Sequence, residues 1–212
     1  MEEKIRNIVK QIASEQKADV IIGFEQGSVP LVSRPCIIPV TGEHDVEQDM
    51  EKLVWNSFCA QNLAVYLPPY YEHIPSRKKE PVKKPVVALV GKGCDMRSVV
   101  VLCKEKQAPR DKLVLIGVPC SGMVDRKKVL AHCGAKEISR WEETPEGELN
   151  LTMEDESTMV LKKSEFLQQA CMDCRFPEPE GVDYVVEKSA KEKGQGSSQL
   201  YNDFKNKTRE ER

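Results

Sequence analysis

The chain has 212 residues, 40% of them hydrophobic, which suits one ordinary domain or two small ones with a core that needs no disulfides. Its 32 basic and 34 acidic residues nearly cancel, so no uniform positive field favours a nucleic-acid partner. The first twenty residues lack the apolar core of a signal peptide, and no later run reaches the roughly 18 apolar residues of a membrane span, so we expect a soluble cytoplasmic protein.

The first third of the chain is predicted to contain two helices and two strands. Apolar residues at helical spacing predict an amphipathic helix that ends near Lys17, and a strand follows at Asp19 to Phe24. Pro35 to Val40 is predicted to form a second strand, and His44 to about Leu67 a second helix. Residues 68–84 are rich in Pro and Lys, which predicts a surface loop or a boundary between two lobes.

A pattern of apolar strand, glycine turn and helix then occurs twice. The run VVALVGKGCD leads into MRSVVVLCKEKQ, a helix capped by Asp95. The run KLVLIGVPCS leads into a helix from about Met123 to Cys133, which Gly134 ends. Two such units in succession predict a parallel, right-handed strand–helix–strand arrangement. We therefore expect an α/β fold with a parallel or mixed sheet and flanking helices.

The last third is predicted to be less regular. An acidic, loop-like stretch from Glu142 to Ser157 surrounds a short strand at Glu148 to Met153. A short helix from Ser164 to Ala170 leads into CMDCRFPEPEG, a C-terminal Cys-x-x-Cys loop. The polar composition of the end of the chain divides it into a domain at residues 1–188 and a polar tail at 189–212.

Two cysteines occupy equivalent places in the repeated pattern. Cys94 and Cys120 each lie three residues after a glycine that ends an apolar strand, Gly91 and Gly117 respectively. If the strands are parallel neighbours about 4.8 Å apart, both cysteines emerge side by side at the carboxyl edge of the sheet. A helix N-terminus directly after each cysteine is expected to lower the thiol pKa and to stabilise an anionic cluster.

A Cys-x-x-Cys turn at Cys171 and Cys174 supplies two more sulfurs, close enough together to grip one metal centre. With Cys94 and Cys120 they complete a set of four thiolates, and eight thiols in a reducing compartment favour metal or redox work. The other cysteines lie in apolar contexts and are predicted to pack in the core: Cys36, Cys59, Cys103 and Cys133.

The histidines and one aromatic segment are further candidates for binding residues. The three histidines are scattered, which favours surface positions over metal binding, at His44, His73 and His132. Trp55 and Asn56 could line a cofactor pocket, although an aromatic residue on an amphipathic helix more often belongs to the core.

Taken in order, LVGKGCDMRSVV, LIGVPCSGMVD and CMDCRFPEP resemble the beta-subunit family of deazaflavin-dependent (coenzyme F-type) hydrogenases and dehydrogenases. The resemblance covers about residues 15–190 and looks closest to variants related to formate dehydrogenase or linked to heterodisulfide reductase. It implies a 4Fe-4S cluster beside a flavin such as FAD, with the cluster held by Cys94, Cys120, Cys171 and Cys174. Backbone N–H groups and a cation at a helix start suit the flavin phosphates, at Gly91, Lys92, Gly93 and Arg97.

The sequence departs from this family in one respect, because it contains no C-x-x-C-x-x-C-x-x-x-C-P run of a two-cluster ferredoxin segment. We expect either that a partner supplies it, as another redox subunit or a ferredoxin-type two-cluster protein or domain, or that the chain is a piece of a longer polypeptide. The expected function is electron transfer within a cytoplasmic oxidoreductase complex. Two alternatives stay open: a structural zinc module on the same four cysteines, and a thiol–disulfide enzyme acting through Cys171 and Cys174.

Overall fold

A computed structural model describes residues 1–41, 45–72, 83–134, 136–186 and 208 of the chain. Most of the predicted surface loop at 68–84 and nearly all of the predicted polar tail at 189–212 lie outside the described residues. His44 and His73 lie outside them as well.

The described residues form helices and strands in mixed order, with repeated strand–helix alternation from Val87 to Glu143. The helices are α1 (Glu2–Ser14), α2 (Val46–Glu51), α3 (Pro68–Tyr71), α4 (Gly93–Lys104), α5 (Arg126–Cys133) and α6 (Gln169–Met172). The strands are β1 (Val20–Gln26), β2 (Ser33–Pro39), β3 (Val87–Gly91), β4 (Leu113–Gly117), β5 (Ile138–Glu143), β6 (Glu148–Met153), β7 (Thr158–Lys162) and β8 (Tyr184–Val185). Short 3₁₀ turns lie at Leu63–Tyr66, Arg110–Lys112 and Lys163–Glu165.

The larger sheet has five strands in the order β2-β1-β3-β4-β8. β1 and β2 are antiparallel, whereas β1, β3, β4 and β8 are parallel neighbours. The sheet is therefore mixed, and the predicted α/β fold is confirmed. In the pairing of β3 with β4, Gly91 lies opposite Gly117, so the two glycine turns leave the same edge of the sheet side by side.

Apolar side chains cover both faces of this sheet. Every residue of β3 is buried, with Val87 and Leu89 facing one core cluster and Ala88 and Val90 facing the other. This alternation explains why the strand reads as a continuous apolar run. α1 packs on the second face, and no described helix combines the length and apolar composition needed to cross a bilayer.

A smaller antiparallel sheet, in the order β5-β6-β7, was predicted only at its middle strand. β6 buries every second residue, at Leu149, Leu151 and Met153, and this alternation is the pattern that marked it as a strand. β5 buries only Ile138, and its other residues are exposed or half-exposed, so it lacks the alternation that marks a strand; its last two residues, Glu142 and Glu143, fall in the predicted acidic loop.

The predicted helix from His44 to Leu67 is wrong over most of the described part of its length. α2 ends at Glu51, and Leu53 then forms an isolated β-bridge with Glu25. The backbone continues irregularly because the Asn56 side chain accepts a hydrogen bond from the Phe58 N–H at 2.9 Å, which offers that group a partner outside a helix.

The helix after β4 also starts later than predicted. Val124 forms a β-bridge with Leu167, and Asp125 caps α5 by accepting a hydrogen bond from the Lys127 N–H at 2.9 Å. Gly134 ends this helix with φ at 70°, as predicted.

Candidate metal centre and adjoining cleft

The two strand-tip cysteines leave adjacent parallel strands, as the repeated pattern predicts. Cys94 lies in the first turn of α4 and is exposed, whereas Cys120 lies in the irregular segment after β4 and is half-buried. The Gly122 N–H donates a hydrogen bond to the Cys120 sulfur at 3.4 Å.

The C-terminal Cys-x-x-Cys loop docks on these strand tips. The Cys120 N–H donates to the Pro177 carbonyl at 2.9 Å. A Cβ added to Gly93 would lie 2.3 Å from the Phe176 carbonyl oxygen, and one added to Gly117 would lie 2.5 Å from Pro179 Cγ. The glycines therefore leave room for the loop, which brings the segment that follows Cys174 onto the same sheet edge.

Two of the other predicted ligands act electrostatically on Cys94. Burial raises the pKa of the Cys94 thiol to about 11, although the residue as a whole is exposed, and Asp95 acts in the same direction. Cys120 and Cys174 also raise this pKa, which indicates that both lie within electrostatic range of Cys94. The expected lowering of the Cys94 pKa is wrong for this state, because desolvation and neighbouring negative groups outweigh the helix N-terminus.

The fourth predicted ligand, Cys171, lies in α6 and is half-buried. Within the described ranges, no three or more histidine, cysteine, aspartate or glutamate side chains form a group that could hold a metal ion. The centre on Cys94, Cys120, Cys171 and Cys174 therefore stays a prediction.

The remaining cysteines behave as packing residues, as predicted. Cys36, Cys59 and Cys133 are buried, and the half-buried Cys103 packs against the main core. All eight cysteines lie in described ranges and are thiols rather than disulfides. His132 makes an edge contact with the Phe166 ring, with centroids 5.2 Å apart.

The turn between β3 and α4 contains a buried ion pair. Lys92 is 2% exposed and Asp95 is fully buried, with 3.0 Å between the ammonium and one carboxylate oxygen. The ammonium also donates to the carbonyls of Cys59 and Gln61, each at 2.9 Å. These three partners use the donors of Lys92, so in this conformation it has none left for a flavin phosphate.

Asp95 fixes the start of α4 with the same carboxylate oxygen, which accepts a hydrogen bond from the Lys92 N–H at 2.8 Å. Its other oxygen is buried without a hydrogen-bond partner. The Lys92 ammonium also lies 4.9 Å from the Phe24 ring centroid and 5.9 Å from that of Trp55. Lys92 therefore ties the strand tip to the segment around Trp55.

The other residues predicted near flavin phosphates have different surroundings. Gly91 is crowded, because an added Cβ would lie 2.8 Å from Met96 Cε, and Gly93 is covered by the loop at Phe176. Arg97 is exposed, and its guanidinium carbon lies 4.0 Å from the Phe176 ring centroid.

A cleft of about 740 Å³ opens beside Cys120. Its walls come from the segment after α2, the segment after β4 and the end of β5, and include Trp55, Asn56, Cys120 and Trp141. Trp55 and Asn56 therefore line a pocket. Trp55 also packs against the core, as an aromatic residue on an amphipathic segment is expected to do. Trp55 and Trp141 are the two tryptophans of the chain.

A hydrogen-bonded network crosses the floor of this cleft. The Glu143 carboxylate accepts from the Ser57 N–H at 2.9 Å and from its hydroxyl at 2.5 Å. The Lys163 ammonium lies 3.0 Å from Glu143 and donates to the Ser121 hydroxyl at 2.9 Å. Sequence reasoning missed Glu143 and Lys163, because their partners are distant in the chain and no local pattern marks them.

No protein-family model and no curated protein matches the sequence. Among solved structures, the chain is similar to a chain of the xenon-derivatised F420-reducing NiFe hydrogenase complex from Methanosarcina barkeri, with a TM-score of 0.53 and 15% sequence identity. The match covers 77% of this chain and 55% of that chain, so it spans about half the length of the neighbour. At this identity the likeness concerns the fold alone.

Proposed function

We propose that this chain is an electron-transfer subunit or domain of a cytoplasmic oxidoreductase complex, with a 4Fe-4S cluster on Cys94, Cys120, Cys171 and Cys174. The observation that carries the proposal is the docking of the Cys-x-x-Cys loop on two paired strand tips. Four thiolates are the ligand set that such clusters use. The fold likeness to a chain of a hydrogenase complex supports the same class of function.

In this proposal the cluster supplies one-electron transfer, and the chain sets its surroundings. The N-terminus of α4 directs partial positive charge toward the cysteine region, and the buried Lys92–Asp95 pair holds the turn before Cys94 rigid. The Gly122 N–H, which already contacts the Cys120 sulfur, supplies a hydrogen bond of the kind that tunes iron–sulfur potentials.

The proposal extends to a flavin such as FAD and to partner redox subunits or a ferredoxin-type two-cluster protein. Of the four residues predicted near the flavin phosphates, Arg97 keeps an exposed cation, whereas Lys92 is buried and paired. Arg97 is therefore the better phosphate neighbour of the two.

Anaerobic purification followed by metal and sulfide analysis tests the cluster. We expect a brown protein with about four irons and a similar amount of labile sulfide per chain. A colourless protein with about one zinc per chain would favour the structural zinc module instead.

Single substitutions assign the ligands. Cys171→Ser and Cys174→Ser are each expected to lower the iron content strongly, because a hydroxyl is a poor substitute for a thiolate. Cys103→Ser is the matched control, since Cys103 lies on α4 with Cys94 but outside the proposed set, and its iron content should stay normal. Normal iron in both Cys171→Ser and Cys174→Ser would reject the assignment.

A further inference from the structure

The outer strands of the two sheets are protected from further pairing to different degrees. In the part of the chain that the structure describes, the larger sheet ends in β2 and β8, and the smaller sheet ends in β5 and β7. Edge strands present unpaired N–H and C=O groups, which proteins usually protect with proline, irregular backbone or very short strands. β8 has two residues, and β5 has a register shift between Ile138 and Arg140. Neither offers a long regular edge.

β2 protects its outer edge with proline. The Gly27 N–H donates to the Val32 carbonyl, and every second residue after Val32 then bonds to β1 in the antiparallel pairing. The positions whose backbone groups point outward are Ser33, Pro35, Ile37 and Pro39. Because two of these residues have no N–H to donate, β2 is a poor template for another strand.

β7 lacks this protection. The Met153 N–H donates to the Ser157 carbonyl at 2.9 Å, and every second residue after Ser157 bonds to β6. The N–H and C=O groups of Thr158, Val160 and Lys162 therefore point to the outer edge. The strand contains no proline, and no other described strand pairs with this edge. Val160, at the centre of the strand, is 60% exposed.

The free edge of β7 is complementary to a second copy of itself. In an antiparallel pairing centred on Val160, the two copies of Val160 lie opposite each other, with about 5.5 Å between their Cα atoms. Thr158 then lies opposite Lys162 of the second copy, so the outward backbone groups of all three residues are used. On the other face, Met159 lies opposite Leu161 of the second copy, and both side chains belong to the core of the small sheet.

The charges at the two ends of β7 are opposite in sign. The turn before the strand carries Glu154, Asp155 and Glu156, all exposed, and the strand ends at the exposed Lys162. Asp155 is paired with Lys136 at 2.9 Å, so this turn keeps a net negative charge. An antiparallel pairing brings Lys162 of each copy toward the acidic turn of the other, whereas a parallel pairing would bring like charges together.

We propose that the chain forms a homodimer through antiparallel pairing of β7, which joins two three-stranded sheets into one continuous sheet. The pairing is two-fold symmetric and uses the free edge of each copy, so it closes at the dimer. Because only one strand of five residues pairs, we expect a weak association that depends on concentration. The strand contains none of the proposed cluster ligands, so the dimer does not depend on the proposed function.

Sedimentation equilibrium of the full chain tests the dimer. The measured mass should rise with concentration from 24.0 kDa toward twice that value. Val160→Lys should weaken association about tenfold, because the two lysines would face each other across the two-fold axis. Ile37→Lys is the matched control, since Ile37 is an exposed apolar residue on the protected β2 edge, and association should be unchanged. A chain that stays monomeric up to about 1 mM, or equal weakening by both variants, would overturn the proposal.

A second pair of variants tests the register. Thr158→Glu places a carboxylate opposite Lys162 of the second copy and should tighten the dimer about threefold, whereas Thr158→Lys should weaken it by a similar factor. A gain of affinity cannot arise from loss of folding. Equal effects of the two variants would contradict this pairing.

Amide hydrogen exchange locates the interface. In concentrated solution the outward amides of Thr158, Val160 and Lys162 should exchange more slowly than in dilute solution. The Met159 amide, which faces β6, is the internal control and should change little. A dimer in which the three outward amides exchange at the rate of the monomer would place the interface elsewhere and overturn the proposal.

Discussion

After β3 the chain turns directly into helix α4, whereas after β4 it stays irregular until α5 begins at Arg126. The first turn is held by the buried Lys92–Asp95 pair, whose ammonium also donates to the carbonyls of Cys59 and Gln61. The second contains Pro119, which has no N–H to donate, and Gly122 at φ 107°, a conformation outside the helical region. Its contacts include the C-terminal loop at Pro177, Lys163 through Ser121, and the Ser57 carbonyl, which accepts from the Val124 N–H.

Cys94 and Cys120 lie at the same distance from paired glycines and at the same sheet edge. The contacts that stabilise the two cysteine-bearing turns are nevertheless different. The turn that carries Cys94 is stabilised by a buried ion pair within the turn and at the start of α4, together with the carbonyls of Cys59 and Gln61. The position of Cys120 is stabilised by a hydrogen bond from its N–H to Pro177, 57 residues further along the chain. We therefore expect substitutions in the first turn to lower the free energy of unfolding of the whole protein. Substitutions that affect the second turn should mainly speed hydrogen exchange of nearby amides.

The largest expected effect is at the first turn. Lys92→Met leaves the Asp95 carboxylate buried without its cation, and breaking a buried pair from one side costs about 3–5 kcal/mol. The free energy of unfolding from urea denaturation measures the loss. A loss below about 1 kcal/mol would show that the pair does not hold the turn.

A second substitution separates charge from packing at the same site. In the Lys92→Met and Asp95→Asn double variant, the amide oxygen can still accept from the backbone N–H of residue 92 while the buried charge is gone. We expect the double variant to be more stable than Lys92→Met alone. Lys104→Met, in the last turn of α4 and exposed, is the control and should change stability by about 0.5 kcal/mol or less.

The docking of the C-terminal loop gives the next largest effect. Gly93→Ala would push its Cβ against the backbone carbonyl of Phe176, and such overpacking costs about 1–3 kcal/mol. Since the Cys120 N–H depends on the Pro177 carbonyl of the same loop, its amide hydrogen exchange should become faster.

Gly147→Ala supplies the control for this experiment. Gly147 has φ at 86° in the β5–β6 hairpin and nothing within 4 Å of an added Cβ, so the variant adds backbone strain without touching the loop. Its stability should fall by about 1 kcal/mol while exchange at Cys120 stays slow. Equal acceleration at Cys120 in both variants would contradict specific docking of the loop at Gly93.

The parallel pair β3 and β4 could be predicted because both strands are buried along the sheet and read as apolar runs ending in glycine. The register of Gly91 with Gly117 followed from the repeated spacing. The cleft could not be predicted, because Ser57 and Glu143 are 86 residues apart. Trp141 also lies on β5, a strand that was not predicted because its sequence lacks an alternating apolar pattern.

The smallest predicted effect belongs to the second turn. Lys163→Met removes the hydrogen bond to the Ser121 hydroxyl and the ion pair with Glu143. Glu143 keeps both of its hydrogen bonds from Ser57. Because the Lys163 side chain is only 11% exposed, the loss should be about 1 kcal/mol.

Lys162→Met is the matched control for this variant, since the neighbouring lysine is exposed and lies outside the cleft lining, and its stability should be unchanged. In Lys163→Met, the Gly122 amide, which donates to the Cys120 sulfur, should exchange faster. The Met96 amide, which donates to the Lys92 carbonyl in the first turn, should not. Equal acceleration of exchange at Gly122 and Met96 would contradict this prediction. It would show that the hydrogen bonds of Lys163 stabilise both turns and not only the segment around Cys120.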